Sequence, residues 1–241
     1  MYLVSVNLDP DLNRLASLEG FFALRTGRPS LPTLAEAYGI RSVTEESDPL
    51  TFRVRKVVRL LDAPETRIGV SVAQQGLAAR LWSVALGAAA LYGRIPDLDP
   101  RLLRWDADGS APDDLWLAET RALPGDAATV RRVVQHGHLE PLAAALRARQ
   151  PVTAGLLWGN AASALAGAAR ELDRWARANG HPEVGARARS LAAELFDHPD
   201  LRDTGTLNGT AFRRRSCCLY YRVPGGGVCG DCCFVRPPRR L

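Results

Sequence analysis

The sequence predicts a mainly α-helical fold of the α+β class, in which a multi-helix body carries a few short strands and a small, loop-rich C-terminal segment. Three observations support this prediction. Apolar residues recur at the three- and four-residue spacing of amphipathic helices through most of the chain. Residues 101–123 instead contain the short apolar runs that are typical of strands. All five cysteines lie between residues 217 and 233, in a stretch that lacks the helical pattern.

Four helices are predicted in the first part of the chain, after an extended entry at residues 1–10. In the first helix, apolar residues from Leu12 to Leu24 follow a helical spacing, and the polar residues 26–29 end it. The longest helix ends at Gly93 and contains three glycines, which we attribute to close packing against neighbouring elements. The four predicted helices span residues 11–24, 33–39, 49–62 and 65–92.

Residues 101–123 predict a hairpin or two short strands. Apolar runs at residues 102–105 and 115–118 lie on either side of an Asp-Ala-Asp-Gly-Ser turn. Asp106 and Asp108 resemble part of a calcium-binding loop, but the glutamate that such a loop requires downstream is missing. A turn is therefore the favoured interpretation.

The helical pattern returns after Asp126. Thr153 is a good N-cap for a long helix that ends at Asn179 and Gly180. Asn160 and Ser163 lie on the apolar side of this helix, where we expect neighbouring groups to satisfy them rather than a catalytic role. The predicted helices span residues 127–137, 139–149, 153–179 and 182–196, and a strand is predicted at residues 207–212.

Composition and charge exclude several classes of protein. The chain has 241 residues, of which 46% are hydrophobic and 24% charged, as is ordinary for a folded domain. Residues 211–241 hold seven arginines and one aspartate, so the net charge of +5 belongs to this segment and does not indicate nucleic-acid binding. Asp9 and Asp11 interrupt any signal peptide, and no apolar run is long enough to span a membrane. We therefore expect a cytoplasmic protein with no integral membrane segment.

The cysteines form the pattern Cys-Cys, ten residues, Cys-x-x-Cys, followed by one more cysteine. Disulfides fit poorly, because the number is odd and no secretory signal is visible. Adjacent side chains in an extended segment point to opposite faces, so Cys217 and Cys218 do not easily bind one small ion. A wider binuclear cluster accepts such a pair more readily. Spacing alone therefore favours a [2Fe–2S] cluster and leaves structural zinc as the alternative.

The same residues resemble a known family. The run Ser-Cys-Cys-Leu-Tyr-Tyr-Arg at residues 216–222, the glycine loop at 225–227 and Cys-Gly-Asp-Cys at 229–232 closely resemble the C-terminal motif of the bacterial ferric iron (siderophore-iron) reductases. The close resemblance covers about residues 206–236. Upstream it is limited to length, helical character and the Trp-Gly-Asn stretch at residues 158–160.

The resemblance implies how the cofactor is held and how the chain is divided. A helical substrate-docking body would occupy residues 1–205, and a [2Fe–2S]-binding segment residues 206–241. No catalytic residue is expected beyond the cluster ligands. Cys233 is additional to the motif, and we interpret it as a small packing residue, with an alternative ligand as the second interpretation. The implied cluster and metal ligands are Cys217, Cys218, Cys229 and Cys232.

The implied activity is that of an oxidoreductase. It would pass one electron to siderophore-bound Fe(III) and release Fe(II), since the hard oxygen ligands of siderophores prefer Fe(III). No nucleotide-binding motif is visible, so the electrons must come from a separate donor such as a ferredoxin or a flavin reductase. Two alternatives remain: an electron carrier or redox sensor that has the cluster but no siderophore substrate, and a zinc-stabilised interaction module.

Two further groups of residues were considered for binding roles. Arginines next to the cysteines would stabilise a reduced, more negative cluster and could also bind an anionic substrate or an acidic partner. His136 and His138 are two residues apart, which directs them away from each other on a helix, so we expect surface or capping roles for them. The arginines proposed to bind substrate are Arg213, Arg214, Arg215 and Arg222.

Overall fold

The computed structural model describes residues 15, 18, 20–39, 48–236 and 238. Its helices confirm the mainly α-helical prediction. The helices are α1 (Leu34–Tyr38), α2 (Pro49–Leu60), α3 (Thr66–Tyr92), α4 (Ala127–Val130, the π-helical Arg131–Leu139 and Glu140–Arg149), α5 (Ala154–Ala178), α6 (Pro182–Phe196) and α7 (Pro199–Arg202). The strands are β1 (Arg25–Thr26), β2 (Arg94–Pro96), β3 (Leu103–Trp105), β4 (Leu115–Leu117), β5 (Ala122–Pro124), β6 (Gly205–Asn208) and β7 (Ala211–Arg214).

Two long helices, α3 and α5, form the centre of the body and pack extensively against each other. Helix α3 is buried on most sides, and its Trp82 is completely inaccessible to solvent. Alanines on the buried part of α5, including Ala161 and Ala162, allow the two backbones to approach closely. Helix α2 covers α3 on one side, and α6 packs on both α3 and α5. The α3–α5 pair is therefore the platform on which the other elements are placed.

Two of the three glycines in α3 lie where another element leaves no room for a side chain. A Cβ atom on Gly69 would collide with Val58 of α2, and one on Gly87 would lie 2.8 Å from Leu15 and 2.9 Å from Phe22. Gly76, in contrast, faces open space. Close packing therefore accounts for Gly69 and Gly87 but not for Gly76.

The predicted hairpin is present. Strand β3 pairs antiparallel with β4, with Leu103 opposite Leu117 and Trp105 opposite Leu115. Asp106 stabilises the turn, since its Oδ1 atom accepts a hydrogen bond of 2.8 Å from the backbone N–H of Asp108. The sequence analysis did not predict that β1 would add to β4 in parallel, nor that β2 would pair with β5.

Three predictions need correction or lie outside the description. Most of the predicted helix at residues 11–24, and all of the extended entry, lie outside the described residues; Gly20–Phe22 form a 3-10 turn. The two helices predicted at 127–137 and 139–149 are one continuous helix, in which the N–H of Glu140 bonds to the carbonyl of Gln135, five residues earlier. The strand predicted at 207–212 is a hairpin of β6 and β7 that turns at Gly209, where φ is +61°.

None of the described helices is both long and apolar enough to cross a membrane.

His138 was expected at the surface or at a cap and is instead completely buried. Its Nδ1 atom lies 2.9 Å from the hydroxyl of Tyr38, and Nε2 contacts the carbonyl of Leu98. Because a carbonyl can only accept, Nε2 carries the proton and Nδ1 accepts from Tyr38. Burial lowers the pKa of His138 to about 4. The histidine is therefore a neutral part of the core at pH 7.

Buried His138 predicts that stability falls on acidification. Because its pKa is lower in the folded than in the unfolded chain, its contribution is present above about pH 6.5 and is lost as pH falls toward 4. We expect the free energy of unfolding to drop by about 2 kcal/mol between pH 7 and pH 5 from this group. Urea unfolding of wild type and His138→Leu measures this drop. The variant should have a lower free energy of unfolding than wild type at pH 7, but its stability should depend less on pH between 7 and 5.

His181→Gln is the control for this measurement, because His181 is largely exposed and should leave the slope unchanged. A slope in His138→Leu equal to that of wild type would contradict the assignment of the effect to His138.

Candidate metal centre

The cysteines are delivered to the body by the β6–β7 hairpin. Strand β7 packs on α5 and ends at Arg214, three residues before Cys217. Its Phe212 is buried against Phe196 of α6, with ring centroids 5.2 Å apart. The 3-10 turn Tyr220–Arg222 then contacts α3. The cysteine segment thus lies across the two central helices rather than extending into solvent.

A chain of buried hydrogen bonds fixes the first cysteine pair to both helices. Ser71 of α3 donates to the carbonyl of Cys218 at 2.8 Å. Asn160 of α5 donates to the backbone carbonyl of Ser71 at 2.9 Å and accepts from Nη2 of Arg214 at 2.6 Å. Ser71, Asn160 and Arg214 are each at most 2% exposed. Since buried polar groups are costly without partners, this network specifies where the segment docks.

Asp231 holds the second cysteine pair in a similar way. This carboxylate lies between Cys229 and Cys232 in the sequence and is buried. It accepts from Ser163 of α5 at 2.6 Å and from Arg170 at 3.1 Å. Its backbone carbonyl accepts from the N–H of Arg214 at 3.0 Å, which ties the two halves of the segment together. Asn160 and Ser163 therefore both have partners, as expected, and both serve the cysteine segment.

The glycine loop lets the chain fold back. Gly225 has a φ of +70°, which favours glycine, and the N–H of Gly226 bonds to the carbonyl of Val223 at 2.8 Å. A Cβ atom on Gly226 would collide with the carbonyl oxygen of Tyr220. A larger residue at position 226 could not make this turn, which brings the second cysteine pair back to the first.

The structure brings the five thiols together. Side-chain interactions connect Cys218 to both Cys217 and Cys229. Cys233 interacts in turn with Cys217 and Cys232. The chain turns directly after the adjacent pair, where Leu219 has a φ of +68°. The sulfurs thus form one continuous group made from two separate stretches of chain.

Backbone N–H groups and a buried cation surround these sulfurs. The N–H of Leu219 lies 3.2 Å from Sγ of Cys217, and that of Phe234 lies 3.4 Å from Sγ of Cys232. The pKa of Cys218 is lowered, because it accepts from Cys217 and Cys229 and lies near the Arg214 guanidinium. The pKa values of Cys217 and Cys229 are raised, since each donates to Cys218. The group therefore favours at least one thiolate, the form that binds metal.

The thiols and the N–H groups around them suit an iron–sulfur cluster better than a single metal ion. Among the described residues, no three His, Cys, Asp or Glu side chains are arranged so that they could hold a metal ion. The thiols nevertheless interact with one another through their side chains, and each can be redirected by rotation about χ1. Thiolates with N–H donors directed at the sulfur atoms are the usual surroundings of an iron–sulfur cluster.

The arginines that we predicted to bind substrate occupy different environments. Arg214 is buried, so it has no surface on which to meet a substrate. Arg222 forms an ion pair with Glu65 at the start of α3 and lies over the ring of Tyr221. Arg213 and Arg215 are exposed, and Arg215 lies 3.7 Å from Asp203. Their contacts identify Arg214 and Arg222 as anchors of the segment.

Sequence reasoning missed Ser71, Arg170 and Asp231 as parts of the site. Asp231 carried a signal that could have been used, because it is the one acidic residue among seven arginines in residues 211–241. Ser71 and Arg170 carried none, since their contacts depend on how α3 and α5 pack.

The buried network predicts that Asn160 is needed to hold the cysteine segment. In Asn160→Leu, the carbonyl of Ser71 and the guanidinium of Arg214 each lose a partner while remaining buried. We expect the free energy of unfolding to fall by about 1–3 kcal/mol and the segment to become more sensitive to trypsin. Limited proteolysis with mass spectrometry and urea unfolding would measure both effects.

Glu171→Gln is the matched control, because it changes an exposed residue of the same helix. Identical proteolysis and unfolding of Asn160→Leu and Glu171→Gln would show that the network does not hold the segment.

Comparison with known proteins bears on the same stretch of chain. No curated protein matches this sequence. Residues 214–234 match the sequence model of a family described as the FhuF 2Fe-2S C-terminal domain. This range contains all five cysteines together with Arg214 and Asp231. The match confirms the resemblance to the siderophore-iron reductases that the cysteine motif indicated, and it identifies residues 214–234 as a [2Fe–2S]-type segment.

Proposed function

We propose that this protein is a [2Fe–2S] ferric-siderophore reductase that acts in the cytoplasm. The observation that carries the proposal is the convergence of the motif cysteines on the α3–α5 platform, within the segment that matches the [2Fe–2S] domain family. Cys217, Cys218, Cys229 and Cys232 would hold the cluster. Cys233, which contacts two of them, would pack against the site without binding iron.

The reaction needs little from the protein beyond position and charge. Held by Cys217, Cys218, Cys229 and Cys232, a [2Fe–2S] cluster would supply one-electron transfer from an external donor to the Fe(III) of the siderophore, which would become Fe(II). The oxygen ligands of the siderophore hold Fe(II) less well, so the iron is released. No bond to the protein forms or breaks, and no side chain is required as an acid or base.

The residues around the cysteines would favour the reduced state. Reduction would add a negative charge, which Arg214 and the N–H groups of Leu219 and Phe234 would stabilise. Arg213 and Arg215 leave a basic, exposed patch on the hairpin. This patch suits an acidic donor such as a ferredoxin, because opposite charges speed encounter. A flavin reductase is the other class of donor that would serve.

The ligand assignment predicts a sharp difference between neighbouring cysteines. Replacing Cys217, Cys218, Cys229 or Cys232 by Ser should remove most of the cluster and abolish reduction of ferric chelates. Cys233→Ser is the matched control and should keep both, because only a packing contact is lost. Iron and acid-labile sulfide in anaerobically purified protein, and absorption at roughly 420 nm, measure the cluster.

Several outcomes would contradict the proposal. One zinc and no sulfide in colourless wild-type protein would indicate an interaction module. A reduced cluster that no ferric siderophore reoxidises would indicate a carrier or sensor. Loss of the cluster in Cys233→Ser, with retention in one of the other four variants, would change the ligand set.

A further inference from the structure

A cleft of about 840 Å³ adjoins the cysteine site. It is lined by residues of α5 and α3, by Leu18 and Gly20–Phe22, and by Cys229, Gly230 and Asp231. Its volume is within the range that small-molecule sites usually have. The cleft therefore leads from the protein surface to one of the proposed cluster ligands.

The chemistry of the cleft suits a bulky chelate with both apolar and polar parts. Phe21, Leu18 and Trp175 provide apolar surface, and Trp175 is held in place by stacking on His181 with ring centroids 5.5 Å apart. Gln75 and Arg170 supply polar groups. Arg170 is already fixed by Asp231, so its position is set before any ligand enters.

A ligand in this cleft would lie next to the electron source. Cys229 is at once a proposed cluster ligand and part of the cleft wall. A molecule bound in the cleft could therefore contact Cys229 directly. Such contact would speed electron transfer, because it places the electron acceptor next to the proposed cluster.

We propose that this cleft is the binding site of the ferric chelate. The proposal rests on the proposed function, because it assigns a place to the same substrate. The iron atom of the chelate would face Cys229 and Asp231, and the organic part would lie along Trp175 and Leu18. Phe21, which is 45% exposed, would then be covered by the ligand.

Gly167 offers a way to block the cleft without disturbing the fold. It lies in the cleft wall on α5, and the nearest atom to a Cβ placed there is Nη2 of Arg170, at 3.9 Å. Gly167→Leu should fill the cleft and slightly strengthen the helix, because Leu has the higher helix propensity. Gly155→Leu is the matched control: it makes the same change in the same helix, at an open position outside the cleft.

The test separates binding from reduction. Ferric complexes of a trihydroxamate, a tricatecholate and citrate are first compared as oxidants of the reduced wild-type protein. The Ga(III) complex of the best chelator, which has the charge of the Fe(III) complex but cannot be reduced, is then used in equilibrium dialysis with cluster-loaded protein. Gly167→Leu should bind it at least about tenfold more weakly, and Gly155→Leu should bind it like wild type.

Each result bears on one proposal. Equal binding by wild type and Gly167→Leu, or equal loss in Gly155→Leu, would overturn the cleft as the binding site while the reductase function stands. If none of the three ferric complexes reoxidises the wild-type protein, the proposed function itself fails.

A second inference comes from an independent observation at Arg214. Among the described residues, its Nε and Nη1 atoms are buried without a hydrogen-bond partner, while Nη2 bonds to Asn160. A buried guanidinium with unused donors is costly unless something else receives them. Arg214 lies three positions before Cys217, and its backbone N–H bonds at 3.0 Å to the carbonyl of Asp231, which lies between Cys229 and Cys232 in the sequence.

We infer that the two unused N–H groups of Arg214 donate to sulfur atoms of the loaded site and raise its reduction potential. Arg214 is thus a positioning residue, since it acts through the cysteines and touches no substrate. Arg214→Gln should lower the equilibrium constant for reduction at least about tenfold, equivalent to about 59 mV for one electron, and Arg214→Lys should lower it less.

Redox titration followed by visible absorption measures the potential of each variant. Arg213→Gln is the control, because it changes the exposed neighbour on the same strand and should shift the potential less than Arg214→Gln. Equal potentials in wild type and Arg214→Gln would overturn the inference. So would loss of the cluster from both Arg214 variants with unchanged thermal unfolding, because the guanidinium would then serve assembly rather than potential.

Discussion

The site depends on one buried chain of hydrogen bonds, from Ser71 through Asn160 to Arg214. The helices α3 and α5 meet through small residues, so few side chains at their contact can carry polar groups. Those that do must find partners, and the cysteine segment supplies them: the carbonyl of Cys218 for Ser71 and the guanidinium of Arg214 for Asn160. The cost of leaving these groups unpaired specifies how a segment with little regular structure is placed.

The helices could be predicted well because their signals are local. Thr153 and Asp48 cap the helices that follow them, as their sequence positions indicate. The prediction failed where a local signal was outweighed. Two separate helices were predicted at 127–137 and 139–149, but the wider π-helical turns of Arg131–Leu139 let one helix continue through both ranges. A single strand was predicted at 207–212, but Asn208 and Gly209, a common hairpin pair, form the turn between β6 and β7.

The site could be predicted in part from the sequence, because the cysteine spacing is also a local signal. The spacing of the cysteines predicts that they act together, and the chain does bring their thiols into contact. Burial of Arg214 could not be predicted, since four arginines in ten residues look alike until the packing of β7 on α5 distinguishes them. The bond from Ser163 to Asp231 joins residues 68 positions apart. Such contacts depend on tertiary structure and cannot be predicted from a local sequence pattern.

The closeness of the five sulfur atoms has a consequence for how the protein must mature. Thiols that interact with one another, one of them with a lowered pKa, are also well placed to react with each other under air. A disulfide between Cys218 and Cys229 would join the two stretches of chain and remove one proposed ligand from each. Such a disulfide would close the site to iron and sulfide until it is reduced again.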